Sequence, residues 1–103
     1  MTLEEFYTML KATGLPVAYS HFNETVEPPF IAYLVDGSSN FFADNKVYQK
    51  FDGVRVELYT TKKDLLSEGK LESVLDANEI PYETFETFIQ SENLYQKTYE
   101  VIL

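Results

Sequence analysis

The sequence predicts an α+β protein built on one mostly antiparallel β-sheet. Two segments space their apolar residues as a helix does, and five show strand alternation or a short apolar run. The order is α-β-β-β-α-β-β, so helices and strands do not alternate one to one, as they would around a parallel sheet. We expect one face of the sheet to carry both helices.

The first helix is predicted from Thr2 to Ala12. A Ser/Thr residue followed three positions later by a glutamate is a capping box, and Thr2 with Glu5 fits it. Thr13-Gly14 followed by Pro16 predicts where the helix ends. The residues expected on its buried face are Leu3, Phe6, Tyr7 and Leu10.

Two strands are predicted next. Val17 to Phe22 is short and rich in β-forming residues. After Pro28-Pro29, which cannot donate to a sheet ladder, Phe30 to Asp36 is almost continuously apolar. Such a run predicts a strand covered on both faces or nearly so. Gly37 to Asn40 is turn-rich and predicts a break.

The middle of the chain predicts either a loop or a long strand arm over Phe41 to Lys50. Asp52-Gly53 is a tight-turn signal. Val54 to Thr61 alternates cleanly and predicts a strand. Its two faces are expected to carry Val54, Val56 and Leu58 on one side and Arg55, Glu57 and Tyr59 on the other.

A second helix is predicted after Thr61, which with Asp64 repeats the capping-box spacing, and it extends to about Asn78. Gly69 in its middle weakens it by about 1 kcal/mol relative to alanine. Ile80-Pro81 ends it. Its predicted apolar positions are Leu65, Leu66, Leu71, Val74 and Leu75.

Two further strands complete the chain: Tyr82 to Gln90, with Phe85, Thr87 and Ile89 on one face, and Leu94 to Leu103. Ser91 to Asn93 is the turn between them. The 103 residues contain no repeat, low-complexity tract or linker, so we predict a single domain over residues 1–103.

Composition argues against several classes of partner. The net charge is −9, from 17 acidic and 8 basic residues, whereas affinity for nucleic acid rests on Lys and Arg neutralising phosphates. The same charge argues against membrane surfaces. The N-terminus is amphipathic and acidic, unlike a signal peptide, and no apolar run approaches the roughly 20 residues of a membrane span. We therefore expect a soluble protein with no direct nucleic-acid binding and no membrane partner.

The sequence predicts no enzyme, no cofactor and no metal site. There is no cysteine, and the single histidine, His21, follows Ser20 directly, so the two side chains would point to opposite faces of a strand. Nucleophile-elbow, zinc-protease, calcium-loop, phosphate-loop and dinucleotide motifs do not occur. The glutamates with no other explanation are expected on solvated strand edges, outer faces or turns: Glu83, Glu86, Glu92 and Glu100.

Aromatic residues supply the candidate interface. Phe41 and Phe42 stand in the most loop-like segment, between Gly37 to Asn40 and Ala43 to Asn45. Aromatics concentrate at the centres of protein–protein interfaces. Either these rings fold back as a small satellite cluster, or the segment is an arm that docks on a partner. The predicted partner-binding residues are Asn40, Phe41, Phe42, Asp44, Lys46 and Tyr48.

Four stretches carry a family resemblance: "LPVAYSHF", "PPFIAYLVDGSSNFFADNKVY", "VELYTTKKD" and "IPYETFETFIQSENLYQKTYEVIL". Together they resemble the tail terminator, or tail completion, proteins at the head–tail connection of tailed phages and prophages of Gram-positive bacteria. The resemblance covers nearly the whole chain and includes no catalytic residue. It implies an α+β virion protein, made in the host cytoplasm, that closes the tail tube as a ring, usually a hexamer. The implied partners are other copies of the chain, the tail tube protein and the head-side connector protein.

Two alternatives stay open. A stopper or head-completion component of the same connector has a similar size. A phage-coded acidic inhibitor that mimics DNA would also suit the length and the charge, but such a mimic should align its carboxylates on one face. Here the acids are spread among hydrophobic positions and interrupted by basic residues.

Overall fold

The computed structural model describes the backbone of residues 1–43 and 46–103, and the side chains of residues 1–37 and 52–103. It confirms the predicted α+β class and the order of elements. The elements are α1 (Leu3–Lys11), β1 (Val17–Tyr19), β2 (Phe30–Ala43), β3 (Lys46–Thr60), α2 (Leu65–Ala77), β4 (Glu83–Ile89) and β5 (Leu94–Ile102).

The five strands form one sheet in the order β1-β2-β3-β5-β4. β1 runs parallel to β2, and the pairs β2–β3, β3–β5 and β5–β4 are antiparallel. The sheet is therefore mostly antiparallel, as predicted. β4 and β1 lie at its two edges.

Both helices pack on the same face of this sheet. Tyr33, Val56 and Tyr99 are direct neighbours across β2, β3 and β5, so their side chains share one face. All three are buried in one cluster with residues of α1 and α2. The helix residues in this core include Phe6, Met9, Leu10, Leu71 and Leu75. We call the opposite side of the sheet the outer face.

α1 begins where its capping box predicts. The Thr2 N–H donates to Glu5 Oε1 at 2.9 Å, and the Glu5 N–H donates to Thr2 Oγ1 at 3.1 Å. The hydrogen bond from the backbone of Thr2 lowers the pKa of the Glu5 carboxyl. The predicted buried face is only partly right, because Leu10 is buried but Tyr7 is exposed. Gly14 adopts φ +81°, the left-handed conformation that follows many helix ends.

α2 begins differently from the prediction. The cap is the Asp64 carboxylate, which accepts from Ser67 N at 3.0 Å and from Ser67 Oγ at 2.8 Å. The capping box proposed from Thr61 was therefore wrong, although the helix itself is confirmed. Of the predicted apolar positions, Leu65 and Leu66 do not join the core, since they are 72% and 73% exposed.

Polar residues take the place of those leucines in the buried stripe of α2. The buried positions are Ser67, Glu68, Leu71 and Leu75, which follow one another at helical spacing. A helix that begins at Leu65 with this stripe against the sheet turns its first two leucines outward. The apolar pattern alone could not reveal this, because it gives no reason to bury a glutamate.

The predicted turns in the middle of the chain were wrong. β2 continues through Gly37 to Ala43 instead of breaking over Gly37 to Asn40. Asp52 and Gly53 lie inside β3, where they pair with Ser38 and Gly37. A register shift between Val35 and Gly37 absorbs the irregularity. Turn-forming residues here produce a bulge within a long hairpin, which matches the strand-arm alternative for the backbone of this segment.

The remaining strand predictions hold with shifted ends. Val54, Val56 and Leu58 share one face of β3, as predicted, and the structure shows them fully buried on the helix side. β2 is buried on both faces at its start, from Ile31 to Tyr33. β1 ends at Tyr19 instead of Phe22, and the next residue, Ser20, has φ +68°.

Two hydrogen bonds connect the end of β1 to β2. The Ser20 N–H donates to Tyr33 O at 2.7 Å. The Val35 N–H donates to the Tyr19 hydroxyl at 3.2 Å. The edge of β2 just beyond β1 is therefore occupied by a phenol.

Candidate functional site

The outer halves of β2 and β3 form a two-stranded extension, the hairpin arm, made of residues 38–43 and 46–51. β5 pairs with β3 only from Gly53 onwards, opposite Ile102. β1 pairs with β2 only over residues 17–19 and 31–33. Next to the pair of Gly53 and Ile102, Leu103 N donates a backbone hydrogen bond to Asp52 O at 2.9 Å. Beyond it, the strands of the arm pair with each other.

The arm carries most of the sequence-predicted partner-binding residues. Asn40, Phe41 and Phe42 lie on β2, whereas Lys46 and Tyr48 lie on β3. The register sets Phe41 opposite Gln49 and Phe42 opposite Val47, so the backbone brings the two halves of the predicted site together. The side chains of these residues, and Asp44 altogether, lie outside the described residues. Their role in contact with a partner stays a prediction.

The base of the arm is acidic. A cavity of about 630 Å³ opens there, and its lining includes Asp36, Glu83 and Glu100. Glu83 and Glu100 lie directly opposite each other on β4 and β5. Arg55 reaches Asp36 at 3.9 Å. Within the described part of the chain, neither of the two glutamates has a salt bridge. Like charges opposed in this way destabilise a strand pair slightly and favour basic neighbours.

A hydrogen-bonded network surrounds a buried carboxylate on the outer face. Glu57 is only 8% exposed, although it lies on the side of the sheet away from the helices. The Tyr59 hydroxyl donates to Glu57 Oε1 at 3.1 Å, and Gln96 Nε2 donates to Glu57 Oε2 at 3.1 Å. Arg55 Nε lies 3.2 Å from Glu57 Oε2. The network satisfies a charge that would otherwise be costly to bury.

Aromatic rings extend this network along the outer face. Phe30 stacks on Tyr59 with ring centroids 5.0 Å apart, and Phe22 meets Phe30 edge-on at 5.3 Å. Burial raises the pKa of Tyr59, the Gln96 hydrogen bond opposes that rise, and Glu57 adds to it. The sequence correctly predicted the face of Arg55, Glu57 and Tyr59 but missed the burial of Glu57.

The small side chains beside Glu57 are the signal that could have revealed its burial. Ala32 and Thr98 flank Glu57 directly on the neighbouring strands, and both are themselves buried. Small neighbours leave room for longer side chains to close over the carboxylate. A single sequence does not state this register, so the signal becomes readable only once the strand pairing is known.

Ser20 and His21 do not point apart as predicted. β1 has ended, and His21 Nδ1 lies 3.1 Å from Ser20 Oγ. Both residues are exposed. The four glutamates expected on solvated surfaces, Glu83, Glu86, Glu92 and Glu100, are exposed as predicted.

No protein-family model matches this chain. No curated protein matches it at a significant level. In the part of the chain that the structure describes, His, Asp and Glu side chains form no group of three or more that could hold a metal ion. None of the described helices has the length and apolar character needed to cross a membrane.

A cluster of lysines and carboxylates ties α2 to the sheet on the helix side. The Lys97 ammonium lies 2.8 Å from Glu68 and 3.5 Å from Glu72. The Lys63 ammonium lies 2.8 Å from Glu68 and 2.7 Å from Glu86 on β4. This lysine–carboxylate cluster explains why a glutamate can occupy the buried stripe of α2.

Opposing effects set the pKa values in this cluster. Burial alone would raise the pKa of Glu68, but the hydrogen bonds and charges of Lys63 and Lys97 outweigh it and lower the pKa. Burial opposes protonation of Lys97, yet the hydrogen bond to Glu68 leaves its pKa raised. Glu68 and Lys97 therefore hold their charged forms over the neutral pH range.

We predict that Glu68 contributes to acid sensitivity. Its pKa in the folded protein is below the ordinary value of 4.5, so its stabilising effect is present above about that pH and is lost as the pH falls further. Glu68→Gln should lower the free energy of unfolding by about 2 kcal/mol at pH 7, and by progressively less below pH 4.5. Urea unfolding across this pH range measures both effects.

Glu92→Gln, the same substitution at an exposed turn, is the matched control and should behave like the unmodified protein. A constant difference between Glu68→Gln and the unmodified protein at every pH would contradict the prediction.

Proposed function

We propose that the protein is a structural virion protein of a tailed phage or prophage that closes the tail tube as a ring and joins it to the head-side connector. The observation that carries this proposal is the hairpin arm, whose strands pair with each other beyond the last residue pair between β3 and β5. An arm of this kind suits a contact with another subunit better than it suits a reaction.

A closed ring of identical subunits needs two different patches on each copy. The hairpin arm supplies one candidate patch, distinct from the sheet body. The core of that body lies between the helices and the layers from Ile31 to Tyr33, Val54 to Leu58 and Tyr99 to Val101. The backbone of the arm extends from this body at the end where the pairing of β5 with β3 stops.

Charge supports the same proposal. A ring around the path of DNA should let DNA pass without holding it, and a net charge of −9 repels phosphates. The acidic cavity at the base of the arm adds to this repulsion. The expected partners are further copies of this chain, six in one ring as the family resemblance implies, together with the tail tube protein and the head-side connector protein.

Electron microscopy of lysates from a phage or prophage lacking this gene tests the proposal. We expect filled heads separated from tails of abnormal or uncontrolled length. Normal-length tails beside leaking, empty heads would instead assign the protein to the head side of the connector. Intact, infectious particles would contradict a structural role and favour the acidic inhibitor.

A further inference from the structure

β4 is an edge strand with an open side. It pairs with β5 over all seven residues, in continuous register and without a proline or a bulge. Its residues are exposed apart from the half-buried Ile89. Phe85 and Phe88 are 57% and 43% exposed, on opposite faces of the strand. The outward N–H and C=O groups of such a strand are a template for another strand.

The other edge of the sheet, formed by β1, is protected against pairing with a further strand, and β4 differs from it. β1 has only three residues, follows Pro16 and ends at Ser20 with φ +68°. Short length and irregular flanks are the usual means of blunting an edge. β4 is longer, at seven residues, and is regular throughout, and its one described salt bridge, Glu86 with Lys63, points to the helix side.

We propose that β4 pairs antiparallel with β4 of a second copy, centred on Thr87. In this register Thr87 faces Thr87 of the second copy, and each Phe85 faces the other copy's Ile89. These side chains share the outer face. Threonine pairs and pairs of an aromatic with a β-branched residue are favourable across antiparallel strands. The sequence of β4 is thus complementary to itself around one residue.

Registers of the β4–β4 pair centred on other residues fit the charges of β4 less well. A register centred on Glu86 sets two carboxylates directly opposite each other, which is unfavourable. A register centred on Phe85 draws Glu83 and Glu86 of both copies into the paired segment. Centring on Thr87 leaves Glu83 outside and sets Glu86, already held 2.7 Å from Lys63, opposite Phe88.

The pairing would cover the two exposed phenylalanines and join the two sheets into one. It does not use the hairpin arm, so it is independent of the proposed function. Loss of this pairing can be seen in the purified protein, whereas the proposed function is tested in phage particles.

Analytical ultracentrifugation of the full chain over a dilution series tests the proposal. We expect a concentration-dependent dimer. Thr87→Lys would set two ammonium groups opposite each other, and it should raise the dimer dissociation constant on the order of 100-fold. Thr87→Glu should do the same. An equimolar mixture of the two variants should recover dimer, because each pair then combines opposite charges at the centre of the register.

Thr84→Lys is the matched control: the same substitution on the same strand, at an exposed residue outside the paired segment. It should remain dimeric, and thermal unfolding should confirm that all variants are folded. A monomeric unmodified protein would overturn the proposal. So would a dimer that persists in Thr87→Lys, or a mixture that stays monomeric.

Discussion

Replacing Tyr99 with alanine is expected to lower the free energy of unfolding by about 4 kcal/mol, the largest loss we predict for one residue. Tyr99 is fully buried in the centre of the core. Its ring meets Tyr82 edge-on at 5.5 Å, and its hydroxyl donates to Glu72 Oε2 at 2.7 Å. Alanine would leave a cavity and remove the donor together. Urea denaturation at neutral pH measures the loss.

Tyr99→Phe separates these two contributions. It keeps the ring and removes only the hydrogen bond to Glu72, so it should destabilise by about 1.5 kcal/mol. Burial, reinforced by Glu72, raises the pKa of Tyr99 far above its ordinary value, so the phenol stays protonated and remains a donor. Equal losses in Tyr99→Phe and Tyr99→Ala would show that packing of the ring contributes little, against this prediction.

Removing the hairpin arm is expected to abolish assembly while leaving the fold intact. Replacing residues 38–51 by a short turn between Gly37 and Asp52 keeps the register of the sheet body, where Gly37 pairs with Gly53. The described core layers lie on the body side of this point. We expect a melting temperature within about 5 °C of the full chain. In a phage lacking the gene, this variant should fail to restore tails of normal length.

The double substitution of Phe41 and Phe42 by serine tests whether these two residues are the part of the arm that assembly requires. It should also weaken assembly and leave thermal unfolding nearly unchanged. A large drop in melting temperature would instead mean that the rings pack under their own domain, the alternative left open by the sequence.

The variant that lacks residues 38–51 has its own contradicting outcome. If it restores tails of normal length, the arm is not an interface.

Local signals predicted most of the architecture. The capping box of Thr2 and Glu5 and the alternation from Val54 to Leu58 depend on residues close in sequence, and the structure confirms both. Gly37 and Gly53 did not form the predicted turns, because the pairing of β2 with β3 prevailed over their local turn propensity. Gly37 and Gly53 face each other inside one ladder, so their turn propensity is expressed as a bulge beside Asp36.

The environment of the buried charges could not be predicted from one sequence. Glu68 replaces a leucine in the buried stripe of α2 because Lys97 reaches it from β5, 29 residues later in the chain. Glu57 is buried on the outer face because Gln96, 39 residues away, donates to it. Apolar periodicity counts such glutamates as solvated. Five of the six predicted partner-binding residues fall on the backbone of one structural feature, the arm, and Asp44 lies outside the described residues.

The phenol of Tyr19 has a consequence for how far edge-to-edge association can go. By accepting the Val35 N–H, it occupies a β2 edge group that lies beyond the residues paired with β1. A sheet with two open edges can add molecules without limit and grow into a fibre. On the β1 side only a three-residue strand and this phenol lie at the edge, whereas pairing through β4 on the other side uses up the template that β4 offers. Edge-to-edge growth through β4 would then end at two molecules, which limits the aggregation that an open edge invites.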